Sequence, residues 1–418
     1  MRGLILSLIG FTFLPVILYA PFTGVLVYAW YQYMTPDRIS WGLVRIIPFS
    51  LMFGVTAIVG WVLFEKKRWP TFQFVILAFL LFFAWINITT LFALQPVEAA
   101  VKWDMTVKVM TFSALAMLVL NERVRIEAFV WVFVLSVSYF AFRGAFNTLL
   151  TGGGGNMVSG ANTSFIGDRN TFAVVMLMAL PLVVFLRRHT TIFPATQFVR
   201  LALVGLVVLL AIAVVGTQSR GALVAAVPLV GSFFLKSRRK GLVLAICLAG
   251  AVLGLAVAPA EWYERMGTIG SYQQDSSAMG RIAAWKWALG VVEQHPLTGG
   301  GFRVFVRNVT DAEHGRWLEA HNILFEVMGE HGYIGLALFA ILVVSIYRSL
   351  GRVAVLCRER PDYLWAYDLA LMLQLGLIAF VVGGMFLSIA FFPMLYDFAA
   401  LAVVLRGHIV PRMLTENL

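Results

Sequence analysis

The chain is a succession of apolar runs long enough to cross a bilayer, parted by short polar breaks, and that repetition leaves few folds open to it. A crossing helix needs roughly 20 apolar residues. Such runs recur at about 3–34, 43–64, 72–94, 105–120, 126–148, 169–187, 199–216, 219–236, 241–258, 322–348, 365–388 and 391–406. Hydrophobic residues fill 61% of the 418 positions and charged residues 13%, with a mean hydropathy of +0.87. Soluble domains hold roughly 45–50% apolar residues, so the expectation is an all-α polytopic integral membrane protein. Residues 1–418 would form a single membrane domain of about twelve transmembrane helices. Pro15 and Pro21 interrupt the first run, which either crosses once or splits into two short helices. That run has no small-residue cleavage site and is expected to remain a membrane segment.

Orientation follows from the basic breaks at Lys66–Arg68, Arg123 and Arg125, Arg187–Arg188, Lys236–Lys240, Arg348–Arg360, and Arg406 with Arg412. They fall after every second run, so the positive-inside rule puts them all on the cytoplasmic side. Arg2 inside as well favours twelve crossings over thirteen. The opposite side then holds Arg169, Arg220, Arg265, Arg281, Lys286, Arg303, Arg307 and Arg316. Arginine where topology disfavours it suits a phosphorylated ligand, because guanidinium presents a planar fork of donors and never loses its charge. The net charge of +11 is scattered between spans, which favours lipid head groups and anionic substrates over nucleic acid. Cys247 and Cys357 are too few and too far apart for a disulfide framework or a thiolate metal site.

The one long polar interval, 259–321, is read as a large, partly helical loop on the outer side and as the catalytic face. Within and around it lie four motifs. Asp168–Asn170 after the glycine tract 152–155 can cap the next span. In GTQSRGA, Arg220 stands at a helix start where backbone N–H groups favour anions, although snorkelling to the interface explains it equally well. Arg281 opens an amphipathic segment whose Ile282, Trp285, Leu289 and Val292 share a face, as in an interfacial helix. HPLTGGGF brings backbone close to something, or is only a turn; it lacks the lysine and hydroxyl residue of a nucleotide loop. His321–Asn322 opens the next span, where an imidazole can take a proton from an arriving hydroxyl, or where either residue merely caps the helix. Glu326 is an acidic residue inside a span and wants a partner. No metal motif is present.

GDRNTFA, GTQSRGA, RIAAWKWAL leading to PLTGGGF, and AHNILFEVMGEHGYIGL, in that order over 164–350, resemble the O-antigen ligase and O-antigen polymerase superfamily. PFTGVLVYAWYQYMTPDRISWG and TTLFALQPVEAAVKWD look like the O-glycosylation ligases associated with exosortase systems. The resemblance implies a GT-C-like membrane glycosyltransferase, independent of metal and cofactor, working on the periplasmic face of the bacterial inner membrane. The implied donor is a glycan on undecaprenyl diphosphate, and the implied acceptor in the ligases is lipid A-core oligosaccharide. His321 would be the general base, with Arg220 and Arg281 on the diphosphate. Arg303, Arg307, Asn322, Glu326 and Asn170 would complete substrate binding. Membrane lipids are the remaining partners, and a monomer is expected. An O-antigen polymerase, a protein O-glycosylation ligase, or a flippase for a lipid-linked anionic sugar are the alternatives.

Overall fold

The computed structural model describes residues 2–40, 42–151, 158–161, 164–236, 240–241, 276–305, 310–311, 316–317 and 319–416. The chain folds into α-helices: α1 (Arg2–Tyr19), α2 (Pro21–Met34), α3 (Phe49–Leu63), α4 (Phe74–Thr90), α5 (Pro96–Val119), α6 (Arg123–Thr151), α7 (Arg169–His189), α8 (Gln197–Gly216), α9 (Arg220–Lys236), α10 (Ser276–Gln294), α11 (Ile323–Cys357), α12 (Leu364–Gly384) and α13 (Pro393–Val404). A π turn, Leu405–Ile409, carries α13 on into α14 (Val410–Thr415). One two-residue antiparallel ladder pairs Thr310 with Trp317 and Asp311 with Arg316. Six helical segments among the described residues are long and apolar enough to cross a membrane, and four shorter helices are apolar throughout. The expected span 241–258 lies almost wholly outside the described residues.

The first run splits at Ala20. Gly10 rests on Phe49, at the start of α3, and Gly60, near its end, rests on the backbone of Ile17 and Leu18. The first helix therefore runs parallel to α3. The second runs antiparallel to it, since Gly24 meets Ala57 while Tyr31 packs on Phe49 and Phe53. Residues 2–34 are thus a helical hairpin, and α1 begins at the end of the bundle away from Lys66–Arg68. That removes the argument that placed Arg2 with the cytoplasmic charges. Helical geometry explains the split, because Pro21 cannot donate the backbone bond that a continuous helix needs there.

The basic breaks gather at one end. Arg68 pairs with Glu122 at 2.9 Å and Arg125 with Glu65 at 2.7 Å. His189 Nε2 lies 2.6 Å from Asp368. The Glu127 carboxylate accepts the hydroxyls of Thr190 and Thr191 and the N–H groups of Thr191 and Ile192. These contacts tie the α3–α4, α5–α6, α7–α8 and α11–α12 connections together. The opposite end holds the start of α5, α7 and α11 and the turn between α12 and α13.

Helix α11 breaks at Gly332 (φ 68, ψ −171), and the glycine-rich turn mends it. Tyr333 N–H, which a regular helix would direct to Gly329, donates instead to Pro296 O at 2.9 Å. The carbonyls of Gly329 and Glu330 accept from Gly300 and Gly301, each at 2.9 Å. A Cβ on Gly299 would meet Gly332 N at 2.6 Å, and one on Gly301 would meet Ala93 Cβ at 2.3 Å. What HPLTGGGF approaches so closely is α11 itself.

Candidate active site

At the end of the bundle opposite the basic turns lies a cavity of about 520 Å³. Its walls come from the start of α5 (Lys102, Met105, Thr106), from Ser164, Phe165 and Thr171, from Arg303 and Phe305, from Glu319, Ala320, Glu326 and Glu330, and from Ser388, Ile389, Phe391 and Phe392.

The 385–392 turn is where the sequence motifs converge. His321 N–H donates to Ser388 Oγ at 2.9 Å. Asn322 Nδ2 donates to Met385 O at 3.1 Å. Glu326 Oε2 accepts Ala390 N–H at 3.0 Å. Phe165 packs edge-on against Phe392, and Gly221, next to Arg220, sits against Phe386, which a Cβ would meet at 3.1 Å. Arg169 reaches Thr217 O at 3.5 Å, joining GDRN to GTQSRGA.

His321 adopts φ 47, and Gln218 and Arg303 adopt φ 52 and 57. Three of the four positive-φ residues other than glycine among the described residues therefore border this region. Left-handed backbone costs a non-glycine residue on the order of 1–3 kcal/mol and tends to collect at functional sites. The His321 ring is half-buried, and burial pushes its pKa below the ordinary imidazole value. Glu319 opposes that shift, Arg281 adds to it, and Asp168 and Glu326 lie close enough to act on it too. Arg281 is thus near enough for its charge to act on the His321 ring. Neither they nor Arg220 line the cavity; His321 adjoins Ala320, which does.

The expected helix start at Asp168 is present: its carboxylate accepts the N–H groups of Asn170 and Thr171 at 2.7 and 2.9 Å. Asn170 Nδ2 lies 3.5 Å from Asp168 Oδ1, one residue from the cavity wall at Thr171. Asn322 is the N-cap of α11, its Oδ1 accepting from Leu324 and Phe325 while its Nδ2 is spent on Met385. The capping alternative holds for Asn322, leaving His321 as the polar side chain of that pair that is not consumed by the cap. Arg303 lines the cavity, and Arg307 lies outside the described residues. The face of α10 expected to lie in the membrane interface is split: Leu289 is exposed, but Val292 is buried. Ala284, Ala288, Val291 and Val292 are buried against Val304, Phe305, Ala320 and Met328. Small side chains let α10 lie close across Gly329, whose Cβ position is 3.3 Å from Ala288. Trp285 stacks on Phe325 at 5.0 Å and donates to Ala320 O at 2.8 Å, which fixes the segment ahead of His321.

Sequence reasoning missed Lys102. Its Nζ lies 2.7 Å from Glu326 Oε1 and 2.8 Å from Glu330 Oε2, above the Phe391 ring at 4.8 Å. Glu330 Oε1 also accepts Arg303 N–H at 2.8 Å. The partner that Glu326 wants is therefore a lysine from the N-terminal half. Behind it, His331 is fully buried, 2.7 Å from the Thr89 hydroxyl and edge-on to Phe302 and Phe391. Among the described residues, no three of His, Cys, Asp and Glu gather as a metal-binding set.

Residues 205–340 match the family described as O-antigen ligase, and residues 1–191 match a family of unknown function, DUF5935. No curated protein matches the chain. The ligase-family match spans Arg220, Arg281, Arg303, His321 and both glutamates that hold Lys102. Residues 205–340 thus carry a domain of the O-antigen ligase family, which supports the O-antigen ligase and polymerase superfamily.

Proposed function

We propose that the protein is an O-antigen ligase of lipopolysaccharide biosynthesis. It transfers a glycan from undecaprenyl diphosphate to a hydroxyl of lipid A-core oligosaccharide on the periplasmic face of the inner membrane. What supports this reading is His321, half-buried and within reach of the Arg281 charge, beside a cavity at the end of the bundle opposite the basic turns.

The chemistry follows from those parts. A half-buried imidazole with a depressed pKa is neutral near pH 7 and can accept a proton. As the acceptor oxygen bonds to the anomeric carbon, its proton passes to His321. The bond from that carbon to the diphosphate oxygen breaks, and the electron pair leaves with undecaprenyl diphosphate. Attack from the face opposite the leaving group inverts the centre. Guanidinium groups of Arg220, Arg281 and Arg303 offset the charge that builds on the departing oxygen, which is electrostatic catalysis by fixed donors. No metal enters these steps. The cavity lies at one end of the bundle, whereas a flippase needs a path through its middle.

The test is transfer in vitro with purified chain, undecaprenyl diphosphate-linked glycan, and lipid A-core, a growing glycan or a protein hydroxyl as separate acceptors. His321→Ala should keep its fold and its donor binding and lose at least about 100-fold in rate, the usual share of a general base. Transfer by that variant at the parental rate would remove His321 from the mechanism. Glycan arriving only on one of the other two acceptors would replace the ligase reading with its polymerase or protein-ligase counterpart.

A further inference from the structure

A second cavity, of about 630 Å³, lies apart from the one described above. Its walls are the outer part of α6, the turn after α2, and residues 158–161, with Arg38, Phe142, Arg143, Phe146, Asn147 and Ser159 among the lining residues. None of these belongs to the transfer machinery.

The walls are built rather than incidental. Arg45 clamps the turn, its guanidinium lying 3.3 Å from the carbonyls of Asp37 and Arg38. On the other side Val158 N–H donates to Gly216 O at 3.3 Å, and Gly160 N–H to Ile166 O at 3.0 Å. Residue 144 must be glycine for this wall to close, because a Cβ there would meet Val158 Cγ1 at 2.1 Å. The volume is in the range that holds a small ligand or head group, roughly 300–1,000 Å³.

Two guanidinium groups share this hollow. Arg143 lies eight residues, or about 12 Å along the helix axis, from the end of α6 at Thr151. An arginine there, between Phe142 and Phe146 in an apolar helix, sits near the boundary where phosphate groups of lipids lie. The two phenylalanines are 59% and 57% exposed and stacked at 6.3 Å, so they present an apolar strip beside the charge. Arg38 pairs with Asp37 at 3.3 Å, but its side chain is 52% exposed. A guanidinium has five donors, so the exposed part of Arg38 can take a phosphate while keeping Asp37, whose side chain is 19% exposed. Cation, hydrogen-bonding side chains and ring strip in one hollow fit an amphiphile with an anionic head.

We infer that this cavity binds the phosphate of a lipid in the outer half of the membrane, with Arg38 and Arg143 on the phosphate and Phe142 and Phe146 along its chain. The inference concerns binding alone and stands whether or not the transfer reaction proposed above is correct.

Native mass spectrometry of the full chain in detergent, titrated with phosphatidylglycerol or phosphatidylcholine, tests it. The wild type should hold phosphatidylglycerol more tightly than phosphatidylcholine. R38Q and R143Q should each weaken that binding about tenfold, the usual scale for losing one charged hydrogen bond. R200Q, which removes an exposed arginine of α8, should leave it unchanged. Equal retention of the two lipids, or undiminished binding by R38Q/R143Q, would overturn the site. Displacement by inorganic phosphate at a concentration equal to the lipid's would overturn the role given to the ring strip.

Discussion

His321 is held in left-handed backbone by one hydrogen bond to Ser388 and kept neutral by its own burial. With its pKa below the ordinary imidazole range, the rate of transfer should stay level through neutral pH and fall only on acidification past that depressed value. The same shift sets a stability trend. Protonation is disfavoured in the fold, so the histidine's contribution is complete above its unfolded pKa and is lost as pH falls through the folded one. A pH–rate profile whose acid limb lies above the normal histidine range would contradict both. Lys102 makes a different demand. Lys102→Met leaves Glu326 and Glu330 without their common cation and should cost about 3 kcal/mol, the low end for a broken buried pair, because the lysine keeps 21% of its side chain accessible. Lys102→Met with Glu330→Gln should recover part of that loss in a thermal melt, and no recovery would mean that the two residues do not act as a pair. His321 could be singled out from the sequence because it stands where an apolar run begins, whereas Arg281, expected at the start of its helix, lies in the second turn, since α10 begins at Ser276. Lys102 could not, because Glu326 lies 224 positions away and nothing local marks a lysine near other charges as buried.

At the scale of elements, the break in α11 and the glycine-rich turn form one unit. Gly301→Ala must fit a side chain at φ 81 and against Ala93, which should cost about 3 kcal/mol from strain and overpacking together. Gly205→Ala in α8 has no atom within 4 Å of the new methyl and should leave the melting temperature level or slightly raised. Equal effects from the two would deny the turn its role as a clasp. The apolar runs gave away the existence of most helices, since length and hydropathy are properties of a segment by itself. The hairpin at Ala20 was open as an alternative because prolines mark it. The inward face of α10 was not legible: periodicity picked out a face for the membrane interface, whereas Ala284 and Ala288 pack inward with Val292, close to Gly329, and that neighbour is visible only once the chain is folded.

At the scale of the molecule, the gathering of basic turns at one end and both cavities toward the other predicts a sided protein. In a background with Cys247 and Cys357 replaced by alanine, a cysteine at Leu297, 59% exposed in its turn, should react with an impermeant thiol reagent in intact spheroplasts. One at Lys67 should react only after permeabilisation. A tag on the N-terminus should be reached with Leu297, because α1 runs parallel to α3; reaction of all three from one face would dismantle this arrangement. The turn at 385–392 carries a further consequence. It lies beyond residue 340, where the ligase-family match stops, and Lys102 lies ahead of residue 205, where that match starts. Anyone transplanting the recognisable stretch into another scaffold, to exchange one sugar specificity for another, would leave behind the shelf on which the histidine rests and the cation that steadies its two acidic neighbours. Such hybrids should fail until both pieces travel with it.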